Sequence, residues 1–151
     1  MAAGPWIFTD ASGTKILNGT FDFDTDLFKV ALHLSSGTQP AAGTTAWSDL
    51  STSQHAANNG YTAGGLPTGS GTALEVTGDL ATSVKVTEST PYVWTAASGP
   101  ITAKWAVLYA VGGDVVCYCL LESGGADVTA TDGNTLTVTP HASGIFTLAK
   151  A

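Results

Sequence analysis

The sequence predicts an all-β chain: one domain over residues 1–151, an antiparallel β-sandwich or barrel with long Gly/Ser/Thr-rich loops. Two observations predict it, and the composition bears on its surroundings. Short apolar segments recur with turn signals every ~8–12 residues, giving roughly nine to eleven short strands. Two adjacent apolar runs, Ile101–Tyr109 and Val115–Leu121, are split by Val111-Gly112-Gly113-Asp114 and read as a β-hairpin. Only 11% of residues are charged, well below the usual ~25%, and Gly, Ser, Thr and Ala fill the gap, which suits a surface packed against copies of itself or a large assembly.

The elements follow in order. Trp6-Ile7-Phe8 is a short apolar run before the turn-rich stretch Thr9–Gly13, and Lys15-Ile16-Leu17 precedes the turn dipeptide Asn18-Gly19. Phe28, Val30, Leu32 and Leu34 alternate with Lys29, Ala31, His33 and Ser35, the pattern of a half-buried strand with His33 on its polar face. From Ser35 to Ser83 the chain turns polar and small. Ala46–Leu50 is placed to open a short helix, since Trp47 and Leu50 are three apart, and Gly60 to Gly71 reads mostly as loop. Strands are expected again at Ala73–Val76, Ser83–Val86 and Pro91–Trp94. The hairpin follows, with largely apolar residues on both faces of each run, so its strands are expected to be covered on both sides. Asp127–Thr131, Thr135–Thr139 and Gly144–Leu148 complete the set. The expected core holds Val30, Leu32, Trp105, Val107, Cys117, Cys119 and Leu120.

Composition excludes some functions. The formal net charge is -7, with five Lys and Arg against twelve Asp and Glu. Nucleic-acid affinity rests on cations that neutralise phosphates, so no nucleic-acid partner is expected, nor an anionic membrane surface. No run approaches the ~18 apolar residues of a membrane span. The start, Met1 to Trp6, lacks a basic segment followed by a long apolar stretch, so synthesis and folding in a cytoplasm are expected. Cys117 and Cys119 share a strand face with Cα atoms roughly 6.5–7 Å apart, at the limit for a disulfide. They are expected to be buried reduced thiols.

Chemistry-bearing patterns are few. Asp22, Asp24 and Asp26 resemble the opening of a calcium loop, but its sixth position is Leu27 where glycine is needed, and its twelfth is His33 where glutamate is needed. They read as a solvated acidic stripe opposite Phe21 and Phe23. His33, His55 and His141 have no metal-like spacing. The chain has no Gly-x-Ser-x-Gly elbow, and the glycine-rich stretch Gly64 to Gly71 lacks the lysine of a phosphate loop. No enzyme activity, catalytic residue, metal or other cofactor is expected. The candidate contact residues are Trp6, Trp47, Tyr61 and His55, with Trp47 and Tyr61 in the loop region where aromatic anchors serve protein or carbohydrate contacts. The segment Met1 to Phe8 is a candidate N-terminal arm laid on a neighbouring subunit, or else a first strand of the same domain.

Several segments carry a resemblance. They are Phe21-Asp22-Phe23-Asp24-Thr25-Asp26 leading into Phe28–Leu32, Asn59-Gly60-Tyr61-Thr62-Ala63-Gly64-Gly65, Trp94 through Tyr109, Asp132–Val138 and Gly144–Leu148. In this order the chain resembles small structural proteins encoded by tailed bacteriophages. The resemblance implies a virion component made in the host cytoplasm, with no active site to carry over. The expected role is a capsid decoration (cement) protein, with the major capsid protein, other virion proteins and copies of itself as partners. The rivals are a tail, connector or fibre-associated virion protein, and a carbohydrate-binding module that contacts the host.

Overall fold

The computed structural model describes residues 4–70, 74–79, 83–141 and 144–149. Its elements in chain order are β1 (Ile7–Phe8), α1 (Ser12–Leu17), β2 (Phe28–His33), β3 (Leu66–Pro67), β4 (Glu75–Asp79), β5 (Ser83–Thr87), β6 (Tyr92–Thr95), β7 (Ile101–Ala103), β8 (Trp105–Ala110), β9 (Val115–Leu120), β10 (Val128–Ala130), β11 (Thr135–Val138) and β12 (Phe146–Ala149). Short 3-10 turns cover Trp47–Asp49, Ser51–Ser53 and Thr68–Ser70. The fold is all-β, and every strand pair is antiparallel. A five-stranded sheet runs β1-β9-β8-β2-β3, a three-stranded sheet runs β12-β5-β4, and β10-β7 and β11-β6 form two ribbons.

The hairpin β8–β9 and its neighbour β2 lie at the centre because both of their faces are apolar. On one face Val30, Leu32, Leu108 and Cys119 join Phe28, Trp94, Ile101 and Leu136 in the main core. On the other, Ala31, Val107, Tyr109, Val115 and Tyr118 pack with Leu50, Trp47 and Trp105. The second layer exists because the small-residue stretch after β2 folds back over the sheet. Leu34 donates its N–H to the Ser53 carbonyl at 2.9 Å and His55 donates to Leu32 at 3.0 Å. His33 therefore lies under this cover, fully buried, and not on a solvated strand face.

The run Ile101–Tyr109 is two strands, not one. β7 pairs with β10, whereas β8 pairs with β2 and β9. Lys104 sits at the break, donating its N–H to His33 and accepting from Leu121. Strand side chains alternate, so a one-residue interruption exchanges the faces. Ile101 and Ala103 enter the main core, and so do Ala106 and Leu108. Trp105 is thereby turned to the second layer, at the end of the sheet. There it is half-buried, donates Nε1–H to Gln39 Oε1 at 2.6 Å and meets Tyr118 edge-on at 5.6 Å. Leu120, its register partner, is also only half-buried. These two core expectations are corrected, while Val30, Leu32, Val107, Cys117 and Cys119 are each fully buried. A β-bulge after Leu108 lets Tyr109 face Val115, leaving Val116 as the extra residue.

Two further expectations change. The stretch read as turn from Thr9 to Gly13 instead leads into α1. Ser12 is fully buried there, its Oγ donating to the Val116 carbonyl at 2.6 Å. The helix ends at Asn18-Gly19, and at under two turns it is too short to announce itself by periodicity. Residues 1–8 do not form a free arm in their described part. Ile7 and Phe8 pair with Tyr118 and Cys117 in the central sheet, and Phe8 meets Phe146 edge-to-face at 5.2 Å. Met1 to Ala3 of that segment, Ala73 of the expected Ala73–Val76 strand and Gly71 of the expected Gly60–Gly71 loop lie outside the described residues.

Candidate functional site

The aromatic residues expected to make contacts do not form one surface. Tyr61 is buried in the main core, 6.3 Å from Trp94. Its hydroxyl accepts the Leu32 N–H at 3.2 Å and donates to Gln54 Oε1 at 3.3 Å. Burial, the first cause, and the nearby Tyr109 drive its pKa upward, against the backbone hydrogen bond. His55 is buried beside it, rings 5.3 Å apart, with Nδ1 2.8 Å from the Ala56 carbonyl oxygen. Tyr61 and His55 are thus structural, and their assignment as contact residues is corrected. Trp47 packs on the opposite face of the five-stranded sheet, stacked on Tyr109 at 4.3 Å and 7°. Trp47 and Tyr61 therefore build no shared platform. Trp6 is half-buried against the main core, beside a cleft of about 420 Å³ that Pro5, Thr139 and His141 help line.

The polar candidates also serve the fold. Asp22, Asp24 and Asp26 lie in a turn and not on a strand. Asp22 Oδ1 accepts the Asp24 N–H at 3.1 Å, and Asp26 Oδ2 accepts the Asp22 N–H at 3.0 Å. The turn points Phe21 and Phe23 inward, Phe23 stacking on Phe28 at 5.1 Å, and leaves Asp22 and Asp24 exposed and Asp26 half-buried. Among the described residues no group of three or more His, Cys, Asp and Glu side chains is placed to hold a metal ion. Cys117 and Cys119 are buried and unlinked. Burial raises both thiols, Cys119 to about 12. His33 Nδ1 lies 3.0 Å from the Leu34 carbonyl, while Nε2 is buried without a hydrogen bond. Desolvation lowers its pKa, partly opposed by the Leu34 and Leu50 carbonyls.

Beyond the aromatic and acidic candidates lies the apolar face of the β12-β5-β4 sheet. Register places Val76 and Phe146 beside Val86, and Leu148 beside Val84. These share one face, while Glu75, Thr77, Lys85, Thr87 and Thr147 alternate onto the other. Val86 is buried, and Phe146 is closed over by Phe8 and Phe23. Val76 and Leu148 remain 43% and 50% exposed. Between them and the Phe21–Asp24 turn runs an open groove of about 530 Å³. The alternation Val84-Lys85-Val86 and Phe146-Thr147-Leu148 marks the apolar face in the sequence. What it does not reveal is that the core covers only half of it.

Comparison of the chain with protein-family models, with curated proteins and with solved structures returns no match to any of them.

Proposed function

We propose that this chain is a structural virion protein of a tailed bacteriophage, acting as a capsid decoration protein through protein–protein contact. The observation that carries the assembly part is the half-covered apolar face of β4, β5 and β12, where Val76 and Leu148 stand open to solvent. A contiguous apolar patch rimmed by polar residues marks a contact surface, and Val76, Val84 and Leu148 share one face beside the exposed Asp22 and Asp24. The virion part is supported by the ordered segments that resemble phage structural proteins, from Phe21–Leu32 through Gly144–Leu148. In this reading the shell, through its major capsid protein and neighbouring copies of this chain, offers many identical sites. Weak individual contacts then gain strength by repetition.

The test adds purified protein to phage particles that lack it, and measures occupancy, position and heat stability. Many copies placed with the symmetry of the shell, and particles that survive hotter, are expected. A few copies confined to the tail axis would transfer the protein to the tail or connector class. Binding to a host glycan with no binding to particles would make it a carbohydrate-binding module.

A further inference from the structure

We infer that the groove between the β12-β5-β4 face and the Phe21–Asp24 turn docks an apolar segment of a partner protein that carries lysine or arginine. The inference rests on the assembly reading above and adds the chemistry of the partner. The groove floor is apolar, because Val76 lies beside Val86 on one side of β5 and Leu148 beside Val84 on the other. Gly78 lies opposite Val84 with φ +113°, and a Cβ there would overlap the Ser83 carbonyl oxygen. The position therefore takes only glycine, so no side chain stands beside Val84 on the β4 side.

The opposite wall carries charge. Asp22 and Asp24 line the groove and are exposed. No cation among the described residues pairs with either. Lys15, whose Nζ lies 5.8 Å from the Phe21 ring, is engaged by Asp114 at 2.8 Å. An apolar floor beside an open carboxylate suits a lysine or arginine, which lays its aliphatic stem on apolar surface and keeps its charged head at the acid. A second copy of this chain fits less well. It brings a net charge of -7 towards the two aspartates, and like charges across an interface are selected against.

The full-length chain is used to select binders from a random-peptide display library, and the affinity of enriched synthetic peptides is measured by fluorescence anisotropy. Enriched peptides are expected to combine apolar residues with lysine or arginine. Val76→Asp and Leu148→Asp should each weaken binding by about tenfold, the scale of one lost apolar anchor. The double variant Asp22→Asn, Asp24→Asn keeps the oxygen that caps the turn. It should weaken binding several-fold and flatten its salt dependence. Val93→Asp, at a half-exposed apolar position on β6, should bind as wild type. An unchanged melting temperature checks the fold of each variant, and Leu148→Ser replaces Leu148→Asp if the latter melts early. The inference is overturned if no peptide is enriched, if enriched peptides lack a basic residue, or if binding ignores the groove variants. Particle occupancy separates this result from the virion reading. Groove-dependent peptide binding without any particle binding sinks the virion reading alone. Full particle occupancy by the wild type, with no peptide capture, sinks the groove alone.

Discussion

At the scale of single residues, burial decides which side chains matter and in which direction. Leu108 is fully buried in the main core, so Leu108→Ala should cost about 2–5 kcal/mol. Trp105 is half-buried at the end of the sheet and holds Gln39, so Trp105→Ala should cost about 2 kcal/mol, below the roughly 3–5 of a fully buried aromatic deletion. Urea denaturation of both variants checks the order, and a larger loss at Trp105 would contradict the sheet break at Lys104. His33 gives stability a pH dependence. Its pKa is lowered in the folded state by desolvation, so the neutral ring is the folded form. Above the ordinary histidine value both states are neutral and stability is complete. As pH falls below that value the unfolded chain takes up a proton first, and stability is lost until the folded pKa is passed. Wild-type protein should therefore lose more stability than His33→Gln between pH 7.5 and pH 5, as read from urea midpoints. Equal losses would show that His33 titrates as in the unfolded chain. The thiols follow the same logic of burial. Native protein should resist alkylation at Cys117 and Cys119, and denatured protein without reductant should take two alkyl groups by intact mass. Failure to alkylate in denaturant would mean that the two are linked.

At the scale of elements, the sequence was most readable where strand alternation and turn chemistry agree. The Gly-Gly-Asp turn between β8 and β9 and the Asp132-Gly133-Asn134 turn before β11 are both where their residues place them. It was least readable where a partner distant in sequence decides. Nothing in Thr102-Ala103-Lys104-Trp105 announces a change of sheet. The break forms because β7 finds β10 while β8 finds β2. His33 alternates like a surface residue, and only the return of the chain through Leu50 and along β2 at residues 53–55 buries it. Tyr61 lies in a loop, as its neighbours in the sequence predict, but a loop held against the core buries its aromatic residues instead of displaying them. That loop also carries a sharp test. Gly65 has φ +76°, and a Cβ there would overlap the Val30 carbonyl and approach Ala31 Cα at 2.6 Å. Gly65→Ala should destabilise by at least about 1–3 kcal/mol, since it adds steric overlap to an unfavourable backbone conformation. Gly133→Ala has positive φ but no atom within 4 Å of its Cβ, so it should cost less. A pair of equal melting temperatures would argue against the tight seating of the Thr62–Gly65 turn on β2.

At the scale of the whole molecule, both ends of the described chain lock the core. β1 pairs with β9 at the edge of the five-stranded sheet, and β12 pairs with β5 in the other. The two ends meet where Phe8 packs edge-to-face on Phe146, whose ring also touches Phe23. This junction links the central sheet to the sheet that carries the groove. A segment with that role is part of the fold even though it comes first in sequence, so deleting residues 1–8 should lower the stability of the whole domain, not only its binding to a partner. The deletion removes the β1 pairing and an aromatic contact worth about 0.5–1.5 kcal/mol beyond its buried area. It also bares the β9 edge and part of Phe146. A total loss of about 2–4 kcal/mol lowers the melting temperature of a chain this size by roughly 5–15 °C. Phe8→Ala alone should give a smaller part of that drop. Because β12 is anchored through Phe146, both variants should also increase native-state hydrogen exchange in β5 and β12, beyond the local change at β9. Thermal melts and hydrogen exchange on the two proteins test this. A deletion variant that melts with the wild type and keeps β5 and β12 protected would show that the first eight residues are a detachable arm, and that the core closes without them.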